Sequence, residues 1–219
     1  MTDMTNEAAE KSRKLKKTMF ALALGGIVGF AGSFGFMQLS DTGVVGTLGR
    51  SQEIAALVGI TYLVTALAVL AGVVAPKAGA TFLNVEDAEE LREQKFMLGM
   101  SGTGMATAGA ALLIAALAEP LGPISRTTVV VLFAALMTAS VIASLASRKH
   151  QDELMRAVGK ETGAMAFYLI FFIGGGWALA AHLDYVAGPA PLDWLSMFWA
   201  LGLLAAFIVV AKRGMMQMR

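Results

Sequence analysis

The sequence contains no cysteine, and charged residues make up only 15% of its 219 residues. The absence of cysteine excludes disulfides, thiolate catalysis and cysteine-ligated zinc or iron–sulfur sites. A soluble domain carries roughly 25% charged residues, so the shortage of charge argues against a water-soluble core. Lysine and arginine (17) nearly balance aspartate and glutamate (16), so no net field favours nucleic-acid binding. Hydrophobic residues reach 57% and mean hydropathy is +0.67, as expected for a protein that lies in lipid.

Charge is missing altogether from six long apolar stretches. A helix needs about 20 apolar residues to cross the hydrocarbon layer, and its backbone groups must be bonded within the segment. The sequence therefore predicts an all-α, polytopic membrane helical bundle of six transmembrane helices within residues 18–211, between a basic tail (1–17) and a short second tail (212–219). The predicted spans are 18–39, 54–75, 96–118, 127–147, 162–181 and 194–211.

Proline is absent from these stretches, since all five prolines lie between them, where they predict helix ends. The first apolar stretch also follows basic residues, as in a signal peptide. Its length exceeds the roughly 7–15 residues of a signal-peptide apolar region. We therefore expect an uncleaved first helix.

Basic residues are distributed unevenly among the connecting segments. All but two of the 17 lysines and arginines, Arg50 and Arg126, lie in the N-terminal tail, residues 76–95, residues 148–161 and the C-terminal tail. Basic residues near the ends of spans stay cytoplasmic. The pattern predicts that both termini are cytoplasmic, which agrees with an even number of spans. Short tails without an organelle signal favour a bacterial inner membrane.

Glycine is concentrated in the first, third and fifth stretches. Helices associate in lipid where small residues allow the backbones to approach closely. The pattern favours three helical hairpins with the odd-numbered helices inside and the even-numbered helices facing lipid. Contact between copies of the chain is the alternative. The candidate helix-packing residues form three stripes: Gly25, Gly29 and Ser33; Gly102, Ala106 and Ala110; Gly176 and Ala180.

Acidic residues cluster just before the third stretch. Asn84 is placed to cap a helix there, on which Glu86, Glu89, Glu90 and Glu93 share one face and repel one another. A solvated helix near the headgroups accounts for this cluster, and docking onto a basic partner, or onto the chain's own basic tail, is the alternative. The candidate cytoplasmic docking residues are Glu86, Asp87, Glu89, Glu90 and Glu93.

Titratable groups also flank the outer turns. If these turns converge, His182, Asp41 and Glu53 form a candidate outer-face polar cluster that responds to pH. Ordinary interfacial polarity is the alternative.

Hydroxyl groups are the main polar groups inside the second and third stretches. We expect them to bond a backbone carbonyl one turn back or a neighbouring helix, and a narrow polar path is the alternative. The residues are Thr61, Tyr62, Thr65, Ser101, Thr103 and Thr107.

Motifs typical of enzymes are absent from the sequence: there is no Gly-x-Ser-x-Gly, no His-Glu-x-x-His and no phosphate-binding loop. We therefore expect no enzymatic activity, no cofactor and no metal, and we interpret the 14 methionines as packing residues rather than copper ligands. The sequence favours a non-catalytic accessory, scaffold or interaction subunit of a membrane assembly. Its expected partners are membrane lipid and other membrane subunits or a second copy, and not nucleic acid.

The alternative function is a small transporter or channel for a neutral or lipid-like solute. A continuous polar cavity that reaches the middle of the membrane distinguishes this function from the first.

Overall fold

The computed structural model describes the backbone of residues 2–215 and the side chains of residues 16–21 and 23–215. Helix formation follows the apolar stretches, as expected where backbone groups have no water to bond. The helices are α1 (Thr2–Asp41), α2 (Arg50–Val74), α3 (Pro76–Gly79), α4 (Ala88–Glu93), α5 (Lys95–Ala116), α6 (Arg126–Arg148), α7 (Glu153–Leu169), a π-helical turn (Ile170–Gly174), α8 (Gly175–His182) and α9 (Pro191–Lys212).

Six helical stretches are long and apolar enough to cross a membrane, which confirms the predicted all-α membrane bundle. They are called spans one to six in chain order: Lys16–Asp41, Arg50–Val74, Lys95–Ala116, Arg126–Arg148, Glu153–His182 and Pro191–Lys212. Span five begins at Glu153 rather than at residue 162, because Asp152 caps the helix by accepting a hydrogen bond from the Met155 amide at 2.7 Å.

Two prolines occupy the first turns of helices, Pro76 in α3 and Pro191 in α9. Pro76 also follows the end of α2 at Val74, as expected. The expectation of a helix end was wrong at Pro191, because the first amides of a helix need no intrahelical partner and proline fits there.

A π-helical turn interrupts span five between α7 and α8. It ends at Gly174, which is buried against span six, where an added Cβ would lie 2.7 Å from Trp194 Cζ3. The glycine therefore allows the wide π turn to pass close to α9.

The predicted division into inner odd-numbered and outer even-numbered helices is wrong. Between 22% and 28% of residues in the most apolar part of spans two, three and six are buried, against 6% to 11% in spans one, four and five. The helix α2 packs most extensively on α5, α5 also packs on α6, and α9 packs on α7 and α2, whereas α1 contacts mainly α2. Only span three combines many glycines with an inner position.

The two central helices, α2 and α5, cross at a pair of glycines. A Cβ added at Gly59 would lie 2.9 Å from Gly109 O. A Cβ added at Gly109 would lie 2.7 Å from Tyr62 Cβ. This contact requires glycine on both helices. Glycine number alone was misleading, because a glycine contributes to packing only where it faces another backbone.

The two ends of the bundle differ in composition and packing. At the end that carries both termini, here the terminal face, Lys17 Nζ donates to Val85 O at 2.6 Å and Arg213 pairs with Glu161 at 2.8 Å. The other end, here the opposite face, holds the main apolar core. The core consists of Phe36, Ala55, Ala56, Leu112 and Ala116, with Leu57, Leu113, Leu192, Leu195 and Trp199 packed against it.

Candidate functional site

An open cleft of about 330 Å³, lined by both polar and apolar groups, lies in the half of the bundle nearer the terminal face. Its volume lies at the lower end of the range of roughly 300–1,000 Å³ for small-molecule sites. Three spans supply its walls, namely α2, α5 and α6. The lining residues are Tyr62, Ser101, Gly104, Met105, Ala108, Ser140, Ser144, Ser147, Arg148 and Gln151.

The serines of α6 share one face, because residues 140, 144 and 147 are separated by four and then three positions. That face lies on α5. Ser140 Oγ donates to Gly104 O at 2.8 Å, and Ser147 Oγ lies 2.7 Å from Ser101 Oγ. A Cβ added at Gly104 would lie 3.2 Å from Ser144 Oγ. Because glycine has no side chain, α5 and α6 can pack closely at this position.

Ser147 also has a backbone partner, since its Oγ can donate to Met97 O at 3.1 Å. In the 2.7 Å contact between the two hydroxyls, either Ser101 or Ser147 can be the donor. The hydroxyls of Ser101, Ser140 and Ser147 are thus all hydrogen-bonded within the protein, and together they join α5 to α6.

Trp199 contacts two residues at the deep end of the cleft, although it does not itself line the cleft. Tyr62 Oη donates to Trp199 O at 2.8 Å, and the indole Nε1 of Trp199 donates to Ala108 O at 3.0 Å. The Phe133 ring lies 6.5 Å from the Trp199 ring, centroid to centroid. These contacts join α2, α5, α6 and α9 beneath the cleft.

The cleft extends from the end of α6 to the middle of the bundle. Ser140 and Arg148 are about 12 Å apart along the axis of α6, at 1.5 Å per residue. Tyr62 and Ala108 lie near the middle of α2 and α5. The polar cavity therefore reaches the middle of the spans from the terminal face.

The threonines of spans two and three do not form the polar path. Thr61, Thr65, Thr103 and Thr107 each donate to a carbonyl one turn back, at 2.8 to 3.0 Å. This confirms the expected role of these four hydroxyls in local bonding. The cleft was instead missed on α6, where the serine spacing in the sequence was the available signal.

The predicted outer-face residues lie in two places. Asp41 and Glu53 line a small cavity of about 60 Å³ between α1 and α2, together with Phe36, Met37, Ser40 and Leu57. His182 does not line this cavity and is exposed at the end of α8. Within the described residues, no group of three His, Cys, Asp or Glu side chains is placed to hold a metal.

The acidic segment folds differently from the prediction. Asp87, not Asn84, caps α4, since its Oδ1 accepts hydrogen bonds from the amides of Glu89 at 2.8 Å and Glu90 at 2.9 Å. The Glu90 amide, then the Glu89 amide, lower the pKa of Asp87, and Arg92 adds to the effect. Asp87 is the stronger cap because its carboxylate carries the charge that the helix N-terminus favours.

The glutamates do not all share one helix face, because Glu86 precedes α4. Its amide donates to Glu90 Oε2 at 2.6 Å, so two members of the cluster stabilise the turn. Glu89 and Glu93 are exposed. Docking of a basic partner on them stays a prediction.

The small-residue stripes have different surroundings. Gly102 packs against Leu70, whose Cγ and Cδ2 would lie 3.0 Å from an added Cβ. An added Cβ at Gly25, Gly29 or Gly176 would have no heavy atom of the described chain within 4 Å. Contact of these glycines with another copy or subunit stays a prediction. The remaining stripe residues are half-buried: Ser33, Ala106, Ala110 and Ala180.

Two groups of predicted residues lie outside the part of the chain that the structure describes. The side chains of the basic tail up to residue 15 belong to the first group. The C-terminal methionines Met216 and Met218 belong to the second.

The six spans define a multi-pass integral membrane protein. Comparison with protein-family models, with curated proteins and with solved structures finds no match. The cleft is therefore interpreted from its own chemistry.

Proposed function

We propose that the protein transports a small polar solute through the cleft between α5 and α6. The observation that carries this proposal is an open cleft that extends from the terminal face to the middle of the spans and is lined in part by four serines, Tyr62 and Arg148. Polar groups inside a membrane protein typically face a water-filled path or a ligand.

The distribution of the apolar core supports the same function. The core cluster fills the half of the bundle near the opposite face, whereas the cleft opens in the other half. A path that is open at one end and closed by packed side chains at the other is what one state of an alternating-access transporter requires.

The chemistry of the cleft is that of binding and not of catalysis. Arg148, at its mouth, is the one charged residue among those that line it in the described structure. General acid–base or nucleophilic catalysis needs a base beside the reacting group. We therefore propose transport without enzymatic activity and without a cofactor.

The distribution of basic residues favours an orientation with both termini in the cytoplasm. The cleft then opens to the cytoplasm of a bacterial inner membrane, with membrane lipid around the outer spans. This orientation is part of the proposal.

Solute flux in liposomes tests the proposal. Ser144 is exposed and lines the cleft, so Ser144→Phe should fill the path. Thr138 is also exposed on α6 but lies outside the cleft lining, so Thr138→Phe is the matched control. We expect the wild-type chain and Thr138→Phe to release a small polar solute from liposomes and Ser144→Phe to lose most of that flux.

The proposal fails if Ser144→Phe, folded and monodisperse, transports as fast as the control. It also fails if the wild-type chain moves none of a panel of sugars, polyols, organic acids and amino acids.

A second candidate function is that of a non-catalytic accessory subunit, and the position of α1 favours it. Only 6% of the most apolar part of span one is buried, and Gly25 and Gly29 face open space. A membrane subunit or a second copy would pack on this stripe. Replacing both glycines with leucine should then reduce the mass of the complex purified in mild detergent, whereas an unchanged mass argues against this function.

A further inference from the structure

Span five is longer than the membrane requires. Its 30 residues extend about 45 Å at 1.5 Å per residue, whereas the hydrocarbon layer is about 30 Å thick and needs about 20 residues. The charged residues of the span all lie between Glu153 and Glu161, so the excess length is at the terminal face. The first turns of α7 therefore lie at the level of the lipid headgroups.

One side of α7 faces away from the bundle. Arg156, Lys160, Gly163 and Phe167 follow one another at spacings of four, three and four residues, so they share one helix face. All four are exposed, whereas Val158 on the reverse side is buried. This surface, here the α7 outer face, presents two cations, then a glycine, then an aromatic ring as it passes from the terminal face into the membrane.

The two cations of the α7 outer face have no partner in the described part of the chain. Neither the Arg156 guanidinium nor the Lys160 ammonium takes part in an ion pair or a hydrogen bond there. The neighbouring Glu161 is bound to Arg213 instead, at 2.8 Å. Like charges four residues apart on a helix repel one another, so an anion between Arg156 and Lys160 would be stabilised by both.

Below the cations, α7 has a turn without large side chains. A Cβ added at Gly159 or Gly163 would have no heavy atom of the described chain within 4 Å. The gap ends at Phe167, whose ring stacks on the Phe171 ring at 6.3 Å between centroids, and both rings are at least 60% exposed. Phe167 lies about 10 Å along the axis from Lys160. A headgroup layer of about 5–8 Å then places this ring beside acyl chains.

Gly159 and Gly163 also have the four-residue spacing that allows two helices to pack closely. A second copy on this face is disfavoured by charge, because a two-fold contact would bring Arg156 and Lys160 of both copies together. An anionic lipid has the opposite charge at the same depth, and its chains are flexible enough to fill a gap bordered by bulky rings.

We propose that the α7 outer face binds an anionic phospholipid, with its phosphate between Arg156 and Lys160 and its acyl chains over Gly163 and against Phe167. This site lies outside the cleft, and the proposal does not depend on the transport function.

Native mass spectrometry of the full chain in detergent tests the proposal with two lipids that have the same acyl chains. Dioleoylphosphatidylglycerol is anionic, whereas the choline of dioleoylphosphatidylcholine compensates the phosphate charge. We expect the first phosphatidylglycerol to bind at least about tenfold more tightly than phosphatidylcholine, since each basic residue near an anionic lipid contributes a factor of about five. Glycerol 3-phosphate, which has no acyl chains, should not displace the bound lipid.

Three variants connect the preference to the residues. Arg156→Gln combined with Lys160→Gln should remove most of the preference for phosphatidylglycerol. Lys77→Gln combined with Arg92→Gln is the matched control, since it removes the same two kinds of charge from exposed positions at the terminal face, and it should keep the preference. Gly163→Leu fills the gap and leaves both cations in place. It should weaken the binding of both lipids, and it should fold because the added Cβ meets no atom of the described chain.

Equal binding of the two lipids would overturn the proposal, as would a preference that survives the loss of Arg156 and Lys160 or disappears equally in the control. Unchanged lipid binding by Gly163→Leu would also overturn it. If glycerol 3-phosphate displaces the lipid, the ligand is a free phosphate and the proposal is wrong. A dimer that dissociates in Gly163→Leu, without a lipid preference in the wild-type chain, would assign the face to a second copy instead.

Discussion

The crossing of α2 and α5 makes the sharpest prediction about stability, for Gly109→Ala. An added Cβ at Gly109 would lie 2.7 Å from Tyr62 Cβ, 2.8 Å from Gly59 O and 3.1 Å from Leu63 N. None of these atoms is the far end of a flexible side chain, so the two helices must separate. Overpacking of this kind costs about 1–3 kcal/mol.

The matched control is Gly99→Ala on the same helix. Its added Cβ would have Val73 Cγ1 as its nearest neighbour, at an ordinary 3.9 Å. Both variants gain the same higher helix propensity of alanine, about 1 kcal/mol, so this gain cancels when the two are compared. The remaining difference measures the cost of separating α2 from α5.

Thermal unfolding in detergent, followed by tryptophan fluorescence, measures that difference. For a chain of this size, about 1 kcal/mol shifts the midpoint by roughly 2–4 °C, so Gly109→Ala should unfold about 2–12 °C below Gly99→Ala. Tyr62 also lines the cleft, so Gly109→Ala should in addition slow solute flux. A Gly109→Ala variant that unfolds at or above the temperature of Gly99→Ala would refute the close crossing of the two helices.

Three further predictions concern single groups. Tyr62→Phe removes a hydrogen bond to the backbone of α9 and should cost about 1 kcal/mol, seen as a lower unfolding midpoint than that of Tyr168→Phe at an exposed position. The pKa of Asp87 is lowered, chiefly by the Glu90 amide. Its stabilisation of α4 is therefore complete above the ordinary aspartate pKa of 3.8 and disappears as the pH falls through the lower folded-state pKa. Hydrogen-exchange protection of α4 should show this step, and Asp87→Ala should lack it. In this cysteine-free chain, Ala187→Cys should react with an impermeant maleimide from outside intact cells, and labelling only after lysis would reverse the proposed orientation.

The six spans were predictable because each one is specified by its own sequence. A stretch without charge must bond its backbone internally in lipid, whatever its neighbours are. The boundaries were less predictable, since a capping side chain such as Asp152 extends a helix beyond its apolar stretch.

The arrangement of the helices was not predictable from glycine content. Gly29 and Gly109 both lie in glycine-rich spans, yet an added Cβ at Gly29 would meet open space and one at Gly109 would meet the backbone of α2. Lipid and protein are similarly apolar surroundings, so hydrophobicity does not distinguish the two positions. Only the pairing of Gly109 with Gly59, on another span, gives Gly109 its role.

The cleft was predictable only in part, for the same reason. The spacing of residues 140, 144 and 147 places three serines on one face of α6 without knowledge of the fold. That Ser101 and Tyr62 join them depends on how α5 and α2 pack, which no local pattern records. Arg148 and Gln151 complete the mouth because α6 ends there.

The side chains of α6 indicate that the cleft is a hydrated site and not a gap filled by lipid. Large branched side chains cover the exposed surface elsewhere on this helix, where Val130, Val131 and Ile142 are each more than 60% exposed. Towards the cleft, α6 instead presents serines. If acyl chains filled the cleft, alanine would pack as closely on α5 without placing a hydroxyl in hydrocarbon. Hydrogen bonds to α5 account for the hydroxyls of Ser140 and Ser147. The exposed hydroxyl of Ser144 is the group that water or a polar solute in the cleft would explain, and hydration of this position is the condition that the proposed transport requires.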